Sequence, residues 1–116
     1  MKYFKLEEFN CPCCQRNEMQ LDFLAKLIRA RETSDVAYVI NSGYRCDAHN
    51  KAVGSKTKNH ILGRAADIKA VDSRTRFKIL GGLIAAGFTR IGIGKTYIHV
   101  DDMETENAPP EVCWLY

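Results

Sequence analysis

The sequence predicts a single α+β domain, residues 1–116, in which helices pack on one side of a mainly antiparallel sheet. A chain of 116 residues is long enough to form one domain with its own core. Segments 19–32 and 73–86 have the apolar spacing of amphipathic helices. The remaining apolar segments are short runs rich in β-branched and aromatic residues, which indicate strands. This mixture of helices and short strands favours the α+β class.

The N-terminal part of the chain predicts a lead-in followed by the clearest helix. Residues 1–17 form an irregular, cysteine-containing lead-in, with Leu6 and Phe9 as its apolar anchors. Residues 19–32 form an amphipathic helix with charged residues on its outer side. The core-facing stripe of this helix is expected to contain Leu21, Leu24, Leu27 and Ile28.

The middle of the chain predicts two strands and a short helix. Residues 38–40 are an apolar, β-branched run that predicts a strand. Asp47 is a suitable N-cap for a short helix over residues 47–53, and Gly54 ends that helix. Residues 65–68 are apolar and are followed by polar residues, which predicts a second strand.

The C-terminal half predicts a second long helix and then a hairpin. Asp72 or Ser73 caps helix 73–86, and Gly87 ends it. The residues expected to face the core are Phe77, Leu80, Leu83 and Ile84. Strands 89–93 and 97–101 follow, joined by a tight turn at Gly94 and Lys95. Residues 102–116 form an extended tail, whose terminal aromatic residues either pack on the core or flank a cleft; these are Trp114 and Tyr116.

Two of the three histidines accompany an aspartate at metal-ligand spacing. Asp67 and His99 lie on two predicted strands, so pairing of those strands brings the side chains together. His60 reaches them from a loop in which Gly63 allows a sharp turn. Two imidazoles and a carboxylate are ligands of catalytic zinc sites, which keep a fourth position for water. The spacing alone also fits two surface histidines and a strand-end aspartate, and His49 is expected to lie outside the site.

Five motifs occur in an order that resembles a known family. They extend from about Val39 to Asp101 and read SGYRC, AHNKAVGS, NHILGRAADI, GFTRIGIG and YIHVDD. In this order they resemble the M15 zinc peptidases, which cut bacterial cell-wall peptides and include D-Ala-D-Ala carboxypeptidases and phage endolysins. The resemblance implies a fold of the hedgehog and DD-peptidase type. It also implies one catalytic zinc ion held by His60, Asp67 and His99.

The resemblance assigns the SGYR motif to substrate binding. It implies that Ser42, Tyr44 and Arg45 contact the substrate, with Arg45 on a carbonyl or carboxylate oxygen. Arginine suits this role, because its planar guanidinium stays protonated and binds oxyanions through two N–H groups. A cation beside the metal also stabilises the negative charge that develops on the carbonyl oxygen during hydrolysis. The alternative interpretation of Arg45 is an ordinary turn arginine.

The identity of the general base is open. Many relatives have an acidic residue three positions before the second zinc histidine, where this chain has Thr96, and a hydroxyl is a poor base near neutral pH. Asp101 shares a strand face with His99 and is the candidate catalytic base. Asp101 is also suited to accept the N–H of a zinc-bound imidazole. Lys58 stands two residues before His60, where relatives often have serine, and is expected to alter substrate contacts.

The chain contains five cysteines, which are Cys11, Cys13, Cys14, Cys46 and Cys113. An odd number prevents complete disulfide pairing within the chain, and thiols are expected in a protein without a secretory signal. One interpretation is a structural zinc that combines the N-terminal cluster with Cys46 or Cys113, although the spacing is not that of a standard finger or ribbon. The simpler interpretation is a set of partly buried thiols, with Cys46 near the active cleft.

Composition limits the possible partners. The hydrophobic content of 46% and charged content of 27% are typical of a soluble globular protein. The net charge of +3 is slight, and no basic stripe interleaved with aromatic residues indicates nucleic-acid binding. The apolar runs are too short to span a membrane. The expected partner is a peptidoglycan peptide, bound by a monomer.

The N-terminal residues lack the apolar stretch and cleavage site of a secretory signal. We therefore expect synthesis in the cytoplasm and action on the cell wall after phage- or lysis-dependent release. The sequence leaves open which peptide bond is cut, and whether the enzyme is a carboxypeptidase or an endopeptidase. Thr96 supports an alternative, namely a catalytically silent zinc-bound module that binds wall peptides or a protein partner.

Overall fold

The computed structural model describes all residues 1–116, which form one α+β domain with a five-stranded sheet. In chain order, a 3₁₀ turn at Leu6–Phe9 is followed by α1 (Leu21–Ser34), β1 (Ile40–Ser42), α2 (Asp47–Ala52), β2 (Ala65–Lys69), α3 (Ser73–Ala85), β3 (Arg90–Ile93), β4 (Tyr97–Asp101) and β5 (Val112–Leu115). The strand order is β1-β2-β4-β3-β5, and only β3 and β5 pair in parallel. The predicted fold class is confirmed.

Helices α1 and α3 pack against each other and share one hydrophobic core with the sheet. This core contains Phe23 and Leu27 from α1, together with Ile68, Ile98 and Val100 from the central strands. Because side chains alternate along a strand, Ile98 and Val100 point into this core, while the intervening residues of β4 point to the other face. The polar residues of β4 therefore meet on the sheet face that α1 and α3 leave uncovered.

In both long helices, part of the predicted core-facing stripe is buried and part is exposed. Leu24 and Leu27 of α1 are buried as predicted, but Leu21 is 80% exposed. At about 100° per residue, Leu21 lies about a third of a turn from Leu27 and misses the sheet. In α3 the buried positions include Ile79 and Leu83, whereas two residues predicted to face the core are 77% and 64% exposed, namely Phe77 and Ile84. They lie on the opposite side of the helix from Ile79.

Several local predictions are also corrected. Strand β1 begins at Ile40 rather than at residue 38, because the Tyr38 side chain packs in the core against Ser34. Cys46 rather than Asp47 caps α2, and its sulfur accepts the His49 backbone N–H at 3.4 Å. In the lead-in, Phe9 is fully buried as predicted but Leu6 is exposed. Asp72 caps α3 as predicted, accepting the Thr75 backbone N–H.

The C-terminal tail turns back between Thr105 and Ala108 and then completes the sheet. Strand β5 pairs in parallel with β3, and Trp114 lies opposite Gly92. This pairing brings the indole of Trp114 to the face of the sheet that carries His99, with 5.6 Å between the ring centroids. The tail therefore contributes to the surroundings of the predicted metal site.

Candidate metal centre

The pairing of β2 with β4 aligns Asp67 and His99 as direct cross-strand neighbours. Neighbouring side chains on paired strands lie on the same face and within contact distance. The His99 Nδ1 atom lies 3.0 Å from Asp67 Oδ1. Their meeting, predicted from strand alternation, is confirmed by this register.

His60 reaches the same aspartate from the turn before β2. Gly63 ends this turn with φ +71°, and a Cβ atom there would lie 2.0 Å from the Glu18 carbonyl oxygen. The site thus requires glycine at position 63. The His60 Nδ1 atom lies 2.7 Å from the Gly43 carbonyl oxygen, which only accepts, so Nδ1 carries the proton. The other nitrogen, Nε2, faces Asp67 Oδ1 at 3.5 Å.

Asp101 fixes the His99 ring from the other side. Its Oδ2 atom lies 2.7 Å from His99 Nε2 and also accepts a hydrogen bond from the Asn59 side chain. Its Oδ1 atom accepts from Arg90 Nε at 2.7 Å and from the Met103 backbone N–H. The carboxylate has no exposed surface. Asp101 therefore lies across the imidazole from Asp67, with both oxygens occupied.

The buried charges shift one another's protonation. Burial by itself raises the pKa of Asp67, but hydrogen bonds from His60 and His99 outweigh it and hold that pKa well below its usual range. Burial lowers the pKa of His99, yet hydrogen bonds to Asp101 and Asp67 outweigh burial and raise it. Burial also opposes ionisation of Asp101, but His99 and Arg90 keep its pKa lowered. Both carboxylates are therefore ionised at neutral pH.

Arg45 completes the polar cluster from the loop after β1. Its Nη2 atom donates to Asp67 Oδ2 at 3.1 Å, and its Nε atom donates to Ser42 Oγ at 2.9 Å. Asn50 accepts from Nη1 at 3.4 Å. These contacts orient the guanidinium plane beside the carboxylate that also meets both histidines.

A cleft of about 260 Å³ opens over this cluster. Its lining comprises Arg45, Val53, Gly54, Ser55, Thr57, His60, Asp67, Tyr97, His99 and Tyr116. A second recess of about 270 Å³ adjoins it and is bordered by Ser42 and His49. A larger apolar groove between the N-terminal segment and α1 contains none of the clustered polar side chains. The accessible space beside the histidines is therefore small and mainly polar.

The donor atoms fit a metal ion. One ligand atom each from His60, Asp67 and His99 lies within 4.8 Å of the other two. Two imidazole nitrogens and a carboxylate oxygen form a donor set that zinc accepts, and the cleft leaves space for a further ligand. On each histidine, the ring nitrogen that faces away from Asp67 donates to a protein acceptor, the Gly43 carbonyl for His60 and Asp101 for His99. Such hydrogen bonds orient the rings of metal-binding histidines.

The family model for peptidase M15 matches residues 2–101, which include the first four motifs, Tyr97–Asp101 of the fifth, and the three converging side chains. The chain belongs to the peptidase M15 family. No curated protein matches it significantly. M15 peptidases are zinc enzymes, which agrees with the donor set found on the sheet. None of the helices of this M15 peptidase is long and apolar enough to cross a membrane.

Of the residues predicted to bind substrate in this M15 peptidase, Ser42 and Arg45 border the recesses but Tyr44 does not. The Tyr44 side chain is buried in the hydrophobic core, and its backbone N–H donates to the Phe9 carbonyl oxygen. A hydrogen bond to Glu18, together with burial, raises the pKa of Tyr44 to about 12. Its hydroxyl therefore bonds to Glu18 in the segment before α1 and does not face the cleft.

Of the two placements predicted for Tyr116, the structure has the one beside the cleft, whereas Tyr97 was not predicted to line it. The two rings lie with a centroid distance of 5.3 Å, and both line the cleft. Burial raises the pKa of each phenol, so both hydroxyls stay protonated at neutral pH. Arg90 was also missed, although its position opposite Asp101 in the predicted hairpin offered a signal for an ion pair. Thr96 is exposed in the hairpin turn, outside the lining of the cleft.

Proposed function

We propose that this M15 peptidase uses one zinc ion to hydrolyse peptide bonds in bacterial peptidoglycan, in stem peptides or in cross-links. The observation that carries the proposal is the convergence of His60, Asp67 and His99 beside the Arg45 guanidinium. The likeness of the motifs to those of cell-wall peptidases supports the substrate class. All of these groups come from one chain, which supports action as a monomer. We further propose that the protein reaches the wall after lysis or phage release.

The protein's contribution to metal binding is to present fixed ligand atoms. When bound, zinc supplies a Lewis acid that polarises a peptide carbonyl and lowers the pKa of water. His60 presents Nε2 because Gly43 holds its Nδ1–H, and His99 presents Nδ1 because Asp101 accepts its Nε2–H. Asp67 remains ionised and offers Oδ1. The chain thus preorganises three donors before the metal arrives.

We assign Arg45 to the substrate oxygen. The guanidinium borders the cleft, and only one of its N–H groups meets Asp67, so other donors remain for a carbonyl or terminal carboxylate. Ser42 and Asn50 hold the plane of the group, which reduces the cost of ordering it when substrate binds. Tyr97 and Tyr116 add two protonated hydroxyls and apolar ring surface for the peptide.

Of the two roles predicted for Asp101, the geometry favours the positioning of His99. The carboxylate meets the ring nitrogen that faces away from Asp67, is fully buried, and has both oxygens engaged. A general base must reach the reacting proton directly or through one water. Asp101 is not part of the cleft lining. We therefore propose that it acts through His99 rather than on the substrate.

One observation favours a second candidate function, a zinc-bound module that binds wall peptides without cutting them. Asp67 is the only carboxylate in the lining of the cleft, and Thr96 occupies the position where many relatives have an acidic residue. Such a site can bind a peptide through Arg45 and the tyrosines yet hydrolyse it slowly. The test must therefore measure binding and cleavage separately.

Digestion of purified peptidoglycan distinguishes the two functions. We expect zinc-loaded protein to release new amino groups, chelated protein to release none, and added zinc to restore release. Mass spectrometry of the fragments identifies the bond that is cut and separates carboxypeptidase from endopeptidase action. A His60→Ala variant serves as the metal-site control. Zinc-loaded protein that sediments with peptidoglycan but releases no amino groups would support the silent module instead.

A further inference from the structure

Four of the five cysteines meet at one place outside the cleft. The Sγ atoms of Cys11 and Cys46 lie 3.6 Å apart, and so do those of Cys13 and Cys46. The Sγ atoms of Cys11, Cys14 and Cys46 all lie within 4.8 Å of one another. The remaining cysteine, Cys113, is exposed on β5 and belongs to no such group.

The sulfur separations match a shared metal ion better than a disulfide. Zinc–sulfur bonds of about 2.3 Å in a tetrahedron give sulfur–sulfur separations of about 3.8 Å. A disulfide requires about 2.05 Å between its two sulfurs. The 3.6 Å separations made by Cys46 lie near the first value, and Cys46 makes two of them at once. A disulfide would use only one of these neighbours.

The backbone around the cluster is arranged to support thiolates. The Cys46 backbone N–H points at Cys11 Sγ at 3.5 Å, and the His49 backbone N–H points at Cys46 Sγ at 3.4 Å. The chain turns back tightly after Cys11, whose carbonyl oxygen accepts the Gln15 N–H and whose N–H meets the Arg16 carbonyl oxygen. This turn brings Cys11 and Cys14, at the C-x2-C spacing of zinc sites, to one side of the loop.

We propose that Cys11, Cys14 and Cys46, with Cys13 as the fourth thiolate, hold a structural zinc ion. This metal is separate from the one proposed at the histidines, because no cysteine lines the cleft. The sequence did not show a standard zinc motif, because the second half of the cysteine set is a single residue, Cys46, in a loop distant along the chain. Four thiolates form a closed coordination shell, which is the arrangement of structural rather than catalytic zinc.

The metal would fasten the N-terminal segment to the loop that carries Arg45. Cys46 follows Arg45 directly, and Tyr44 on its other side donates its backbone N–H to the Phe9 carbonyl oxygen at 2.8 Å. Gly43 also packs closely on Phe9, since a Cβ atom there would lie 2.7 Å from the Phe9 Cα. The N-terminal segment therefore contacts the residues on both sides of Arg45, Tyr44 and Cys46. The proposed zinc adds a crosslink between this segment and the Arg45 loop.

Metal counting on protein purified without chelator tests this proposal. We expect two zinc ions per chain in the natural protein and one in Cys46→Ser. Cys113→Ser is the matched control and should keep two. The His60→Ala, His99→Ala double variant should keep the cysteine-bound ion, so failure of the histidine site would leave this result unaffected. Equal zinc content in Cys46→Ser and Cys113→Ser would overturn the proposal.

Cobalt substitution provides a readout if Cys46→Ser does not fold. Cobalt-loaded protein with the natural cysteines should have the intense near-ultraviolet thiolate-to-cobalt charge-transfer band, and the histidine double variant should retain it. In the zinc-loaded protein, Cys113 should react with an alkylating reagent before the four clustered cysteines do. Absence of the band in cobalt-loaded protein, or a mass two hydrogens lower that indicates a disulfide in the cluster, would contradict zinc binding there.

Discussion

Each histidine of the candidate site has one ring nitrogen occupied by a protein acceptor and the other directed at Asp67. For His60 the acceptor is the neutral carbonyl of Gly43, whereas for His99 it is the buried carboxylate of Asp101. An imidazole whose N–H is accepted by a carboxylate is a stronger metal ligand than one whose N–H is accepted by a carbonyl, because the carboxylate stabilises positive charge on the ring. His99 is therefore expected to contribute more than His60 to metal affinity.

Replacing Asp101 by asparagine tests its positioning role. Asparagine keeps the size and one acceptor oxygen but removes the charge, so we expect Asp101→Asn to weaken zinc binding by about ten- to a hundredfold. Excess zinc should then restore most of the peptidase rate. Zinc titration followed by rate measurement checks both statements. A variant that binds zinc normally but cuts roughly a hundredfold more slowly would instead support the general-base role.

We expect that the ammonium group of lysine cannot replace the Arg45 guanidinium in catalysis. Arg45→Lys should keep its zinc but lose roughly ten- to a thousandfold in turnover, because lysine retains the charge and loses the planar pair of donors. Arg74→Lys, on the exposed surface of α3, is the matched control and should cut at the normal rate. Unchanged turnover in Arg45→Lys would show that Arg45 only supports the loop.

Among the individual side chains of the site, the sequence predicted those whose placement follows from the alternation of side chains along a strand. Asp67 and His99 meet because their strands pair in register, and the motif order indicated His60. The position of Tyr44 could not be predicted, because its burial depends on the distant Phe9 and Glu18. The engagement of Asp101 by Arg90 and Asn59 likewise became visible only in three dimensions.

The elements of the fold differ in how much local pattern determines them. Helix α3 is capped as predicted by Asp72, and Leu80 and Leu83 face the core as predicted. Phe77 and Ile84 were wrongly predicted to face it, because apolar residues occur on both sides of the helix. Strand β5 pairs with β3 across more than fifteen intervening residues, and such a parallel contact leaves no local signature. Tertiary packing decided both cases.

The corrected face of α3 gives a direct stability prediction. Ile79→Ala removes a fully buried side chain and should lower the free energy of unfolding by about 2–5 kcal/mol. Phe77→Ala, on the opposite face of the helix, should change it by less than about 0.5 kcal/mol. Urea unfolding of both zinc-loaded variants measures the difference. A larger loss in Phe77→Ala than in Ile79→Ala would mean that Phe77, rather than Ile79, packs in the core.

For the whole molecule, the buried charges couple folding to pH and to metal. In metal-free protein, the raised pKa of His99 provides stability that is complete below its ordinary value of 6.5 and is lost as the pH rises through the raised value. The lowered pKa of Asp67 provides stability that is complete above 3.8 and is lost as the pH falls through the lowered value. The stability that His99 and Asp67 contribute to chelated protein should therefore be largest between about pH 4 and 6.5.

Unfolding at a series of pH values checks this window. In chelated protein, the stability of the natural chain relative to that of His99→Gln should fall above pH 6.5, whereas its stability relative to that of His49→Gln, outside the network, should not. With zinc present the trend should reverse, because protons compete with the metal for the imidazoles and binding strengthens as the pH rises. A stability difference between the natural chain and His99→Gln that stays constant through neutral pH would contradict the assigned ion pairs.

We propose that zinc at His60, Asp67 and His99 makes this protein a cell-wall peptidase. The most direct measurement is the rate of amino-group release from peptidoglycan while zinc is returned stepwise to chelated protein. We predict that the rate rises in proportion to the occupancy of the histidine site, levels off when that site holds one ion, and stays at background in His60→Ala. Cleavage that persists in fully chelated protein, or none at full zinc occupancy, would contradict the claim.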